Sequence, residues 1–141
     1  MKHSSEVVIA APIEAVIPWV SDLSLYPQWM PLVHVAEAMV DNAWAVELRA
    51  KVGVFARSKR LRMRRTHHDA TRIVFEREEL DGRKHSDWVL EIELQQEGDT
   101  CRVAMHMAYG GNLWTAGVLD RVLASHIDAG KSGLARLVYR A

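Results

Sequence analysis

Between Val33 and Tyr109 apolar residues recur at every second position, and the breaks between these alternating segments are short. A period of two sends successive side chains to opposite faces of a strand. Connections this tight join neighbouring strands only in the antiparallel sense. The breaks fall at Asp41-Asn42, near Ala56, at His68-Asp69-Ala70, at Asp81-Gly82-Arg83 and at Gly98-Asp99, which predicts six strands. "SEVVIA", residues 5–10, adds one strand at the start. After Gly110-Gly111 the period turns helical, with Leu119, Val122, Leu123, Ile127, Leu134, Leu137 and Val138 on one stripe. An antiparallel sheet with one apolar face must cover it, and only this C-terminal helix is large enough to do so. The expected fold class is α+β: a curved antiparallel seven-stranded sheet around a long C-terminal helix.

The strand registers can be tested against one another. A turn centred at Gly98-Asp99 sets Leu94 opposite Val103, Ile92 opposite Met105, Leu90 opposite Met107 and Trp88 opposite Tyr109. A turn near Gly82-Arg83-Lys84 places Ile73, Phe75, Arg77 and Glu79 on that same face, and one hairpin earlier Leu61, Met63 and Arg65 join them. Three hairpins that agree on one inner face satisfy the strictest demand a sheet makes on its sequence.

The 141 residues suit one domain with one core. Eighteen basic and eighteen acidic residues leave no net charge, which argues against a dedicated nucleic-acid binder. Cys101 is the sole cysteine, so an intramolecular disulfide and a cysteine-rich metal site are both excluded. It leads the last strand on the inward parity and reads as a small core residue. No apolar run approaches the roughly 20 residues that span a bilayer. "MKHSSEVVIAAP" lacks the apolar stretch of a secretory signal. A cytoplasmic location is the expectation.

The segment between the first strand and the second is unusual. Pro12 opens a helix whose apolar residues are Ile13, Val16, Ile17 and Val20, and Pro18 keeps it short or kinked. There follows "SDLSLYPQWMPLV", residues 21–33, which crowds Tyr26, Trp29 and Met30 between two prolines. The whole opening, "VVIAAPIEAVIPWVSDLSLYPQWMPLV", resembles that of START-like proteins, also called the Bet v 1-like or SRPBCC superfamily, with polyketide cyclase/dehydrase and lipid-transport members. The resemblance extends in element order over residues 1–141, as a single domain. It implies the helix-grip fold, with two short helices after the first strand and a deep cavity between sheet and helix. It also implies that "SLYPQWMP" crosses one end of that cavity, with Trp29 and Met30 as wall or lid. Filling the core between the short helices and the sheet is the alternative role for Trp29.

On the inner face Leu61, Met63, Phe75, Trp88, Leu90, Met105 and Met107 would form apolar walls. Arg65, Arg77 and Glu79 share that face, and buried charges need partners. Together they would compensate one another and spare a guanidinium for a ligand carboxylate or phenolate. A solvated rim, or a bulge that turns one of them outward, is the competing reading. His126 lies on the helix stripe near Gly130 and Gly133, whose missing side chains leave volume beside it. A histidine there suits ligand binding or acid/base work, or else a backbone hydrogen bond in close helix–sheet packing.

The run "RSKRLRMRR", residues 57–65, holds six basic residues in nine. With Arg60 opposite Glu78 and Arg62 opposite Glu76, cross-strand pairing accounts for it, and contact with a membrane surface is the weaker reading. Glu91 and His106 are placed to pair on the outer surface. His67-His68 lack metal-ligand spacing, and no glycine-rich phosphate loop is present, so neither a metal nor a cofactor is assigned.

The function the resemblance implies, with these residues as the cavity lining, is binding, with transport as an extension, of a lipophilic small molecule: a lipid, a quinone or a polyketide-like aromatic. Arg65, Arg77 or His126 would fix its polar end. The alternative is a cyclase or dehydratase with His126, Glu79 or Tyr109 as acid/base group. A second alternative is a membrane-associated assembly protein. A monomer and a homodimer both fit.

Overall fold

The computed structural model describes residues 2–52, 54–110, 121, 125 and 129–138. The chain runs through β1 (Lys2–Ile9), α1 (Ile13–Ser21), a 3-10 helix (Leu23–Gln28), β2 (Val33–Ala38), β3 (Ala43–Val52), β4 (Phe55–His68), β5 (Arg72–Arg77), β6 (Trp88–Glu97) and β7 (Thr100–Tyr109). A helical segment over residues 129–138, here α2, belongs to the C-terminal helix. The strands make one seven-stranded antiparallel sheet in the order β1-β7-β6-β5-β4-β3-β2. It curls around the C-terminal helix as a helix-grip fold.

The short helices are specified locally. Pro12 has extended φ/ψ of −70° and 155° at the N-cap, and its carbonyl accepts the Ala15 amide at 3.0 Å. Val16 and Val20, one turn apart, are the buried apolar pair of α1. The Asp22 carboxylate accepts the Ser24 amide at 2.9 Å and so caps the 3-10 helix. There Leu23 and Tyr26 are buried at the three-residue spacing that such a helix requires. Asp41 and Asn42 adopt φ of 63° and 54°, the paired left-handed conformation of a tight hairpin between β2 and β3.

The β6–β7 register agrees with the expected one at all four pairs: Trp88–Tyr109, Leu90–Met107, Ile92–Met105 and Leu94–Val103. Three other expectations need correction. The break near Ala56 lies earlier, between Val52 and Phe55, and Ala56 is paired with Lys51 inside the ladder. The β5–β6 connection is not a tight turn, because β5 ends at Arg77 and residues 78–87 form an irregular crossing. The β4–β5 register is displaced by two residues from the expected one, with Met63 opposite Arg77 and Arg64 opposite Glu76.

A bulge between Arg65 and His67 absorbs an extra residue in β4 and explains why no turn-based count could fix that register. A slip of two preserves the face, so the inner set survives it. The outer ion pairs do change: Glu78 meets Arg62 at 3.5 Å and Arg64 at 3.3 Å, and Arg60 lies 3.9 Å from Glu47. Likewise His106 stands opposite Glu91 but pairs with Glu93 at 3.4 Å, since Arg72 holds Glu91 at 2.6 Å.

Gly130 and Gly133 do not leave empty space. A Cβ on Gly133 would lie 2.8 Å from the Trp29 carbonyl oxygen, and one on Gly130 would lie 2.9 Å from the Met30 sulfur. The two glycines let the Trp29-Met30 segment seat directly on α2. Helix propensity alone would make Gly133→Ala stabilising by about 1 kcal/mol. Against a backbone oxygen the added methyl cannot be accommodated by rotamer change, so we expect a net loss of about 1–3 kcal/mol in urea unfolding. Gly130→Ala, which meets only the flexible end of Met30, should cost less.

Candidate ligand cavity

The inner face of the sheet and the 3-10 helix enclose an apolar cavity of about 40 Å³. β4 contributes Leu61 and Met63, β6 contributes Trp88 and Leu90, and β7 contributes Met107. Tyr26 and Met30 close the side nearest the short helices. The strand positions follow from alternation, which turns every second side chain inward, and the inward ones that reach the cavity carry no charge.

Five of the expected wall residues therefore line the cavity. Phe75 and Met105 do not line it, although both are buried at 0% and 2% exposure. Phe75 instead meets Tyr26 and Trp44 edge-on, with ring centres 6.0 Å and 5.6 Å away. Trp29 is buried as a plug. Its indole N–H donates to the Trp19 carbonyl at 3.1 Å and its ring lies 4.5 Å from that of Tyr26. Val46 and Leu48 on β3 also line the cavity. The alternation "WAVEL" was the signal for them, and it was as readable as that of β6.

The polar candidates are bound into the fold. The Arg65 guanidinium donates to the Ser21 carbonyl at 2.7 Å, at the end of α1, and to Asn42 Oδ1 at 3.3 Å, and it lies 5.7 Å from the centre of the Trp44 ring. Arg77 Nε donates to Glu79 Oε1 at 3.1 Å, and its Nη1 donates to the Ser86 carbonyl and hydroxyl, each at 3.2 Å. His85, 3.4 Å from Arg77, rests on Asp81 at 2.8 Å. The Arg83 amide, then His85, hold the Asp81 carboxyl below its ordinary range. This network fixes the 78–87 crossing. His126 lies outside the described residues.

Tyr109 is buried and stacked on Trp88 at 5.1 Å between ring centres. Trp88 has a second property: its indole N–H is buried, with no hydrogen-bond partner among the described residues. It is also a shared wall. On one side lies the apolar cavity, and on the other an open hollow of about 530 Å³ bounded by Lys2, Arg77, Asp87, Tyr109 and Gly110. Burial pushes the Tyr26 phenol far above its usual range, and its hydroxyl donates to the Val20 carbonyl at 2.8 Å. Burial also raises the Cys101 thiol, as expected of a core cysteine.

Comparison with known proteins gives the same architecture. A START superfamily protein from Mycobacterium smegmatis superposes with a TM-score of 0.77 at 14% identity, over 99% of this chain and 97% of that one. A conserved protein from Geobacillus kaustophilus reaches 0.80 at 10% identity, over 99% and 96%. The Zhui aromatase/cyclase from Streptomyces sp. R1128 reaches 0.70 at 15% identity, over 99% and 94%. At these identities the likeness is one of fold. No curated protein matches the sequence. The family model described as polyketide cyclase / dehydrase and lipid transport matches residues 1–140, and the chain belongs to that family.

Proposed function

We propose that the protein binds a lipophilic small molecule between its sheet and the C-terminal helix, as one domain acting in the cytoplasm. The observation that carries this reading is the chemistry of the cavity wall. Among the described residues its lining is apolar apart from the Trp88 indole N–H and the Tyr26 hydroxyl, and the Tyr26 hydroxyl is spent on the Val20 carbonyl. A phenol held protonated by burial is no base. Among the described residues the wall thus offers no group for acid/base turnover, which favours binding over cyclase or dehydratase chemistry.

A volume of about 40 Å³ is far below the roughly 300–1,000 Å³ that drug-sized ligands occupy. Ligand entry must therefore displace side chains. Met30, Met63 and Met107 are suited to that, since methionine has three rotatable bonds and repacks at low cost. Trp88 stands between the open hollow and the cavity. A ligand that displaces its neighbours would meet its unpartnered N–H, so the preferred ligand carries an acceptor oxygen, as a quinone, ester or aromatic ketone does.

Native mass spectrometry of protein purified from its source, with organic extraction, tests the reading. A stoichiometric apolar adduct is expected. An unliganded mass with no uptake from a panel of lipids, quinones and polyketide-like aromatics would overturn it. Trp88→Phe should weaken an aromatic ketone about 3–10-fold, the worth of one neutral hydrogen bond, and leave its hydrocarbon analogue unchanged. Isothermal titration with the two ligands separates these outcomes.

A further inference from the structure

Residues 48–68 contain eight lysines and arginines and no acidic residue, in a chain whose net charge is zero. Most of these cations are accounted for. Arg60, Arg62 and Arg64 pair with Glu47 or Glu78, and Arg65 caps α1. Lys59 is half-buried, and burial together with Arg77 lowers its pKa. Arg49, Lys51 and Arg57 remain. All three are exposed, and among the described residues none has a carboxylate within ion-pair distance.

The register gathers them at one place. Ala50 stands opposite Arg57, Lys51 opposite Ala56, and Arg49 opposite Ser58, so the three cations ring the last rungs of the β3–β4 hairpin. At its tip, in the sequence Val52-Gly53-Val54-Phe55, Val54 is 93% exposed. An apolar residue thrust that far into solvent has no role in the core. Nucleic-acid contact would leave the valine unexplained, and a ring of cations would not by itself call for one.

From this charge complementarity we infer that the β3–β4 hairpin tip docks on an anionic lipid bilayer, with Val54 entering the interface and Arg49, Lys51 and Arg57 meeting lipid phosphates. The inference stands independently of the internal ligand. Each cation near an anionic leaflet contributes about 1 kcal/mol, roughly fivefold in partitioning, and the attraction falls within a Debye length of about 10 Å at 0.1 M salt.

Sedimentation with phosphatidylcholine vesicles containing phosphatidylglycerol, against pure phosphatidylcholine vesicles, tests it on the full chain. Binding is expected on the anionic vesicles at low salt and should be lost at high salt. The double variant Lys51→Glu with Arg57→Glu should weaken binding by at least about 25-fold, two fivefold steps. Val54→Asp should weaken it severalfold. Arg83→Glu with Lys84→Glu makes the same change in net charge on the exposed 78–87 crossing and should leave binding within about threefold, given screening. Failure of the wild type to sediment at low salt would overturn the proposal. So would equal binding to neutral vesicles, or equal losses in the two double variants. Circular dichroism confirms that each variant is folded.

Discussion

Phe75→Ala is expected to cost about 3–5 kcal/mol, the range for removing a fully buried phenyl ring. Phe75 has 0% exposure and sits where three elements meet. The 3-10 helix presents Tyr26 to it at 80° between ring planes, and β3 presents Trp44 at 79°. Neither neighbour is free to collapse into the gap. Tyr26 is tied to the Val20 carbonyl at 2.8 Å and Trp44 to the Ser24 hydroxyl at 3.0 Å. The void should therefore persist, and a persistent void is what drives the cost to the upper part of the range. Urea unfolding should show a lower midpoint with an unchanged slope. A loss under about 2 kcal/mol would mean that the two anchored rings do relax, and that the hydrogen bonds holding them are weaker than their geometry indicates. The same variant bears on function. An apolar void next to the cavity should accept a small apolar molecule, so the variant should regain stability with benzene by mass action, and the wild type should not.

The placement of Phe75 was only half legible in the sequence. Alternation put it on the inner face, correctly, and Trp44 on β3 likewise, but its other ring partner, Tyr26, comes from the connector between β1 and β2, where no period of two applies. The β6–β7 register could be read because a single glycine turn at Gly98, with φ of 62°, joins two uninterrupted strands. The β4–β5 register could not. The bulge at Arg65–His67 breaks the count from the turn at residues 69–71, as the irregular 78–87 crossing removes the tight turn expected between β5 and β6. The two glycines of α2 mark a different limit. Glycine in a helix signals missing volume, but only the structure says whether that volume is a cavity or is taken by another backbone. Here Trp29 takes it. The charged candidates show a related limit of the reading by parity. Parity located Arg65 and Arg77 near the inner face, yet a long side chain can reach past the cavity to a carbonyl, as Arg65 does to Ser21.

Glu79→Ala should cost about 2–4 kcal/mol, the second of the large effects. The Arg77 side chain is only 9% exposed and Glu79 20%, so water reaches the carboxylate but hardly the guanidinium. Glu79 Oε1 serves two donors, Arg77 Nε at 3.1 Å and the Arg62 amide at 3.0 Å. Removing it leaves a nearly buried cation without its counter-charge and a strand amide without its acceptor. Partial access of solvent moderates the penalty below that of a sealed pair. The informative comparison is the double variant Arg77→Met with Glu79→Leu. Replacing both charges by apolar groups of similar size removes the buried unpaired cation, so the double variant should be more stable than Glu79→Ala, with a residual loss of about 1–3 kcal/mol from the Arg62 amide left without its acceptor. The cycle also decides what the pair is for. If Arg77 and Glu79 only brace the 78–87 crossing, the double variant keeps its uptake of an apolar ligand. Stability above that of Glu79→Ala with lost uptake would instead make the Arg77 guanidinium a ligand anchor, with Trp88 beside it at the edge of the same open hollow.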